Sequence, residues 1–177
     1  MRIYGNRLLK TLPGQATRPT SGRVREALFN IWQNKISDCC WLDLCAGNGS
    51  MGAEALYRRA KEVIGIEQNA KACRIIQENW QKAIKPGQSF QIIKGDVSIK
   101  IKQLAGKKFD FIYFDPPYLS NLYLPVLQEI SNLDLLASLG EIAVEHNPKF
   151  WQAQQIPGLK ISREKVYGNT ALTFYHN

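Results

Sequence analysis

Hydrophobic positions change period along the chain, and the changes divide it. The first dozen residues alternate weakly around Gly5-Asn6, a hairpin-type turn pair, so a short strand pair is expected there. Pro13-Gly14 and Arg18-Pro19 then mark a loop. Thr20-Ser21 offers an N-cap, and Val24, Ala27, Leu28, Ile31 and Trp32 recur at helical spacing with charges between them. From Cys39 onward, short apolar runs alternate with helical stretches. Strands are expected over residues 40–44, 63–67, 90–93, 109–114 and 142–144, and helices over 51–60, 70–84 and 122–133. Lys85-Pro86-Gly87 stops the second of these helices, and Pro125 is tolerable in the first turn of the third. Two β-like runs close the chain, 159–167 and 170–175, split by the hairpin pair Gly168-Asn169.

Alternating strand and helix implies a parallel sheet with helices on both faces, and the closing hairpin adds one antiparallel strand. Two parts are expected: a hairpin-and-helix extension over residues 1–37 and an α/β body over 38–177. The 177 residues, 45% hydrophobic and 21% charged, suit one domain with a small appendage and exclude a disordered chain. No apolar run approaches the roughly 18 residues of a membrane span, and the first residues lack the apolar core of a secretory signal. Cys39, Cys40, Cys45 and Cys73 show no C-x-x-C spacing and no nearby histidine pair. Neither a metal site nor a disulfide framework is expected, and a reducing cytoplasm fits.

Charge sharpens the division. Lysine and arginine number 23 against 15 acids, a net charge of +8. Arg2, Arg7, Lys10, Arg18, Arg23, Arg25 and Lys35 fall in the first 35 residues against the single acid Glu26, while the rest of the chain is close to neutral. A basic arm ahead of a near-neutral body points to a polyanionic partner, because cations near phosphates gain affinity by releasing counterions.

In parallel sheets ligands bind at the carboxyl ends of the strands, so those ends carry the candidate chemistry. After the first strand of the body, Gly47, Gly49 and Gly52 spell G-x-G-x-x-G between strand and helix. Glu67 ends the second strand twenty residues beyond Gly47, the spacing of a carboxylate that accepts from two ribose hydroxyls. Gly95-Asp96-Val97 follows the third, and Asp115-Pro116-Pro117-Tyr118 the fourth. Asp43 and Asp96 could equally be helix N-caps.

A nicotinamide or flavin enzyme is the obvious rival. Asp43, standing before the glycines, is unwelcome beside a pyrophosphate but suits an ammonium group. The chain is also short for a dinucleotide domain plus a catalytic one, and nothing in that scheme requires Asp-Pro-Pro-Tyr. That motif is the most specific signal. Its prolines shape a rigid turn and leave carbonyls free as acceptors. A carboxylate, a fixed carbonyl and an aromatic ring together suit a planar base that bears an exocyclic amine. His146, after the fifth strand, reads as a packed or surface residue in preference to a catalytic one.

These residues resemble the Rossmann-type S-adenosylmethionine-dependent methyltransferases, and most closely the RsmD-like family, which methylates the N2 amine of a guanine in bacterial 16S ribosomal RNA. The resemblance spans nearly the whole chain. It rests on Arg18-Pro19-Thr20, the segment from Arg23 to Asn30, the segment from Leu42 to Leu56, Asp115-Pro116-Pro117-Tyr118, and the segment from Arg163 to Gly168. It implies a three-layer α/β/α sheet of seven strands with the last antiparallel, preceded by the small N-terminal hairpin and helix. It implies S-adenosylmethionine lying across Asp43, Ala46, Gly47, Gly49, Gly52, Glu67, Gln68, Asp96, Val97 and Asp115. Asp115, Pro116, Pro117 and Tyr118 would carry the chemistry, with no metal. Arg18, Thr20, Arg23 and Arg25 would meet RNA, either ribosomal RNA or the assembling small subunit; the alternative for Arg23 and Arg25 is pairing with acids of the body, such as Glu54, to dock the helix. A cytoplasmic monomer without membrane contact is expected. Two alternatives remain: an adenine-N6 methyltransferase acting on DNA or RNA, and a non-catalytic RNA-binding assembly module with the same fold.

Overall fold

The computed structural model describes residues 1–11 and 22–177. The expected loop at Pro13-Gly14 and Arg18-Pro19, and the cap at Thr20-Ser21, lie outside them. Strands β1 (Arg2–Ile3) and β2 (Arg7–Leu8) pair antiparallel across a 3-10 turn at Tyr4–Asn6, where Gly5 and Asn6 take the positive φ angles that such a turn needs. Helix α1 (Gly22–Ile31) follows. The body runs β3 (Cys40–Leu44), α2 (Ser50–Tyr57), β4 (Glu62–Glu67), α3 (Ala70–Ala83), β5 (Ser89–Lys94), α4 (Val97–Lys100), β6 (Phe109–Phe114), α5 (Tyr123–Asn132), β7 (Leu136–His146), β8 (Lys160–Tyr167) and β9 (Thr170–His176).

Seven strands form one sheet in the order β5-β4-β3-β6-β7-β9-β8. Strands β3 to β7 are mutually parallel, and β9 lies antiparallel between β7 and β8. The order reverses between β3 and β6, which opens a crevice at their carboxyl ends. Among the described residues no helix is long and apolar enough to cross a membrane.

Three elements depart from the sequence pattern. Helix α2 ends at Tyr57 because Arg59 turns left-handed at φ 73° and the Ala60 amide donates back to the Ala55 carbonyl at 2.9 Å. Helix α4, continued by a 3-10 turn at Ile101–Leu104, was not expected; it buries Val97, Ile101 and Leu104 on a stripe too short to announce itself. Strand β7 starts six residues early, and its pairing with β6 shifts register between Phe109 and Phe111. Its alternation is blurred there by the exposed Leu139 and by Gly140.

Two apolar layers sandwich the sheet. One, beneath α1, α2 and α3, centres on aromatics: Phe29 stacks on Trp41 at 5.3 Å, and Trp32 packs on Phe111 at 4.5 Å. The other holds Leu42, Ile64, Ile112 and Phe114 against α4 and α5. Ile3, Leu9, Val24, Leu28, Phe29 and Trp32 all belong to the first layer. The change of pattern near residue 37 therefore marks no gap in packing, and α1 covers the sheet as the body's own helices do.

Helix α1 is also fastened by charge. Arg25 is 3% exposed; its Nε donates to Glu54 Oε2 at 2.8 Å, and its NH2 group donates to the Arg2 carbonyl at 2.7 Å. Arg58 donates to the other oxygen of Glu54 at 2.9 Å. Removing one partner of a buried pair strands the other. Arg25→Ala should therefore lower stability by about 3–5 kcal/mol, read as a fall in urea midpoint at constant m-value.

Candidate active site

The crevice at the strand ends is a cavity of about 600 Å³. Register aligns its floor: Asp43 pairs with Tyr113, and Tyr113 with Ala143, so these side chains share a face of the sheet. The glycine loop then folds over the end of β3 and is held by two acids. Asp43 Oδ2 accepts the Gly52 amide at 3.0 Å. Glu67 accepts the Gly47 amide at 2.8 Å on one oxygen and the Asn69 amide at 2.7 Å on the other. The Gly49 amide donates to the Ala46 carbonyl at 2.7 Å, and the Ser50 amide to Asn48 Oδ1 at 3.1 Å.

A tryptophan and an asparagine of α3 support the loop from beneath. Trp80 Nε1 donates to the Gly49 carbonyl at 2.7 Å, and Asn79 Nδ2 donates to the Asn48 carbonyl at 3.0 Å and to the Lys10 carbonyl at 3.1 Å. A Cβ on Gly49 would stand 2.7 Å from Trp80 Nε1, and one on Gly52 2.2 Å from Trp80 Cζ2. Gly49 and Gly52 are the two expected cofactor contacts that stand apart from the rest. They do not line the cavity; they make room for the Trp80 indole so that helix, loop and strand pack closely.

The other residues expected at the cofactor do line the cavity: Asp43, Ala46, Gly47, Glu67, Gln68, Asp96, Val97 and Asp115. Asp96 is at the same time the N-cap of α4, accepting the Ser98 amide at 2.8 Å and the Ser98 hydroxyl at 2.6 Å, and these bonds hold its carboxyl below the usual range. Cys45 sits in the left-handed region at φ 63°, a strained place for a side chain. Burial, and then the charge of Asp115, push its thiol well up, so it supplies no thiolate.

Beyond β6, Asp115, Pro116, Pro117 and Tyr118 all face the cavity. Tyr118 is more than an exposed ring. Its hydroxyl lies 3.0 Å from Glu145 Oε1 and 3.2 Å from Thr170 Oγ1, which ties the motif to the tip of the β8–β9 hairpin. Burial, then the Glu145 charge, push that hydroxyl's pKa up, so it remains protonated. Sequence reasoning missed Glu145. The rule of acids at strand ends would have found it, but the strand was expected to stop at Val144 and attention passed to His146. The His146 side chain lies outside the cavity lining, 2.8 Å from Thr173 Oγ1 and against the Trp151 ring. Burial lowers its pKa. It is a packed residue, as read from the sequence.

Two of the four expected RNA contacts fall within the described residues. Arg23 is exposed on α1, while Arg18 and Thr20 lie outside the described residues. For Arg25 the structure takes the alternative expected for it: its guanidinium is buried against Glu54, not open to a phosphate.

Sheet order, glycine loop, strand-end acids and Asp-Pro-Pro-Tyr together define a Rossmann-like methyltransferase, a class that takes its methyl group from S-adenosylmethionine. The chain belongs to the family described as Conserved hypothetical protein 95, whose profile matches residues 1–176. A relative from Escherichia coli strain K12, named Ribosomal RNA small subunit methyltransferase D, is 29% identical over 179 residues, covering 99% of this chain and 89% of the relative. A protein of the same name from Haemophilus influenzae is 33% identical over 121 residues, covering 68% of this chain and 63% of its own length. Among solved structures, a hypothetical protein from Thermus thermophilus superposes with a TM-score of 0.81 at 25% identity, covering 100% of this chain and 99% of that one.

Asp43 carries a measurable signature. It is 1% exposed, and burial, partly offset by the Gly52 amide, pushes its carboxyl up to about 8. The unfolded chain ionises this group near its ordinary value of 3.8. Between the two values the folded protein binds the extra proton, so its stability falls as pH rises from about 4 to about 8. Asp43→Asn keeps an acceptor for the Gly52 amide and removes the titration. Its denaturation midpoints between pH 5 and pH 8 should vary less with pH than those of the wild type.

Proposed function

We propose that this protein transfers a methyl group from S-adenosylmethionine to the exocyclic N2 amine of a guanine in bacterial small-subunit ribosomal RNA, as a cytoplasmic monomer acting on the RNA or on the assembling subunit. One observation carries the reading. Among the described residues, the cavity is lined by Asp43, Glu67, Asp96, Asp115 and Glu145 and by no lysine, arginine or histidine. The amides of Gly47, Gly49, Ser50 and Gly52, which would cradle a pyrophosphate in a dinucleotide enzyme, are already taken within the chain. The described wall of this cavity offers acceptors to a cation and an amine. The names of the relatives point the same way.

S-adenosylmethionine supplies an electrophilic methyl group on a sulfonium, an excellent leaving group. The chain's own residues do the rest. Asp43 faces an ammonium group, and Glu67 offers lone pairs to two ribose hydroxyls. Asp96 accepts from the adenine amine beside the Val97 amide. Asp115 and the Pro116 carbonyl accept the two N–H bonds of the target amine. In free guanine that nitrogen is a poor nucleophile because its lone pair is delocalised into the ring; holding both protons out of plane favours the pyramidal form and aims the lone pair. Asp115 then takes the released proton. Pro117 stiffens the turn, and the Tyr118 ring offers a face to a base turned out of its helix. Positioning and fixed charge supply most of the acceleration.

Nucleoside mass spectrometry of ribosomal RNA from cells with and without the gene tests the reading. Loss of one N2-methylguanosine from small-subunit RNA is expected. Loss of N6-methyladenosine, or no change, would overturn it.

Two residues separate chemistry from binding. Asp115→Ala should abolish turnover and leave donor affinity little changed by calorimetry. Glu67→Ala should weaken donor binding by about 1.5–3 kcal/mol, the range for losing hydrogen bonds to a charged group. With Arg25 committed to Glu54, Arg23 is the phosphate contact that can be tested on α1. Arg23→Ala should leave the melting temperature unchanged and flatten the salt dependence of RNA binding by about 0.7–0.9 in log–log slope.

A further inference from the structure

Two large apolar side chains stand at the rim of the cavity, and the reaction as proposed uses neither. Leu119 is 79% exposed and Phe150 58%, and both line the same cavity as Asp115. A residue that lines a cavity and also meets solvent stands at its mouth. The two come from different loops: Leu119 follows β6 and Phe150 follows β7. In the sheet order these strands lie on one side of β3, while β4 and β5, which lead into Glu67 and Asp96, lie on the other. The lip therefore stands over the half of the cavity that holds Asp115, away from the half proposed for the donor.

Hydrogen bonds pin both loops. The Ser120 amide donates to the Pro117 carbonyl at 2.8 Å, which closes a turn with Leu119 at its corner. Asn147 organises the other loop. Its side chain accepts the Lys149 amide at 2.9 Å, and its carbonyl accepts the amides of Phe150 at 2.9 Å and Trp151 at 3.1 Å. The Trp151 ring stacks on Tyr123, the first residue of α5, with ring centroids 4.5 Å apart. That stack joins the loop after β7 to the helix that ends the loop after β6. With Trp151 anchored, its neighbour Phe150 is held at the mouth, beside the exposed Lys149.

A fixed aromatic face with a cation beside it matches a nucleotide, whose base offers a π face and whose phosphate carries negative charge. For a target base to reach Asp115 it must leave its stack, and its sugar–phosphate chain then crosses the mouth. The adjoining nucleotide loses a stacking partner and reaches the lip with one face bare. Resting on the reading of an RNA base methyltransferase, we propose that Phe150 stacks on the base next to the methylated one, taking the place the extruded base has left, with Leu119 as the other wall of the lip.

The test uses an RNA oligonucleotide carrying the small-subunit segment around the guanine whose methylation is lost without the gene, and two versions with the base immediately 5′ or 3′ of it removed. Affinity is read by fluorescence anisotropy with S-adenosylhomocysteine bound. Phe150→Ala should weaken binding of the intact oligonucleotide by about 5- to 150-fold, the range for losing one base–aromatic stack. One of the two abasic oligonucleotides should bind the wild type as weakly, and on it Phe150→Ala should have no further effect. Phe150→Trp should restore binding, and Phe150→Leu, apolar but without a ring face, should not. Donor affinity and the salt slope of RNA binding should stay those of the wild type. Leu139→Ala, at a 95% exposed residue of β7 outside the cavity lining, should bind as the wild type does. If Phe150→Ala does not fold, Phe150→Leu carries the same comparison. Wild-type binding by Phe150→Ala overturns the proposal, as does equal weakening on intact and abasic RNA, the result of a distorted site. A deficit seen on subunit particles but not on the oligonucleotide assigns the lip to a protein of the subunit and overturns it as well. Absence of any guanine methylation dependent on the gene is the failure of the underlying reading, and so is told apart from failure of the lip alone.

Discussion

The site depends on two carboxylates that face inward and bind the chain's own backbone. Asp43 holds the Gly52 amide and Glu67 holds the Gly47 amide, so the loop between β3 and α2 is clamped at both ends by acids from adjacent strands. A helix N-terminus normally offers its amides to an anion. Here those amides are satisfied before any ligand arrives, and the carboxyls that satisfy them stand in the cavity wall. The same residues thus shape the loop and line the cavity.

The clamp works only because the loop can lie close to α3. Gly49 and Gly52 give up side chains so that Trp80 can pass beneath and bond the loop carbonyl. Asn79, one residue before it, reaches both the loop and the carbonyl of Lys10 beyond β2. The N-terminal hairpin is therefore tied to the cofactor loop through a buried amide. On the other side of the cavity, Tyr118, Glu145 and Thr170 tie the Asp-Pro-Pro-Tyr turn to the closing hairpin. Both ends of the chain brace the site.

Burying an acid in the cavity wall works against stability, and the carboxyl of Asp43, pushed up by burial first and by Glu67 only last, shows it. A cavity lined this way is matched by a cation and by N–H donors, and a sulfonium donor brings the first. Among the described residues the positive charge is kept elsewhere. Arg25 is spent on docking α1, and Arg23 stays exposed.

The period of the hydrophobic pattern determined most of the architecture by itself. Alternating short strands and helices, with one terminal hairpin, leave few ways to bury both faces of a sheet, so strand positions and the single antiparallel strand were legible from residue order. So were Asp43, Glu67, Asp96 and Asp115, because acids at strand ends are a one-dimensional signal that topology converts into one cavity. What the tertiary structure decided are relations across the chain. Gly49 and Gly52 read as ligand contacts until Trp80, some thirty residues on, fills the space beside them. Arg25 reads either as a phosphate contact or as a partner for a body acid such as Glu54, and only the fold seats it against Glu54 in the core. Glu145 was hidden because pairing with β6 and β9, not the chain's own alternation, carries β7 past Val144 to His146. Burial and partner choice depend on distances between residues far apart in sequence, and a local pattern does not contain them.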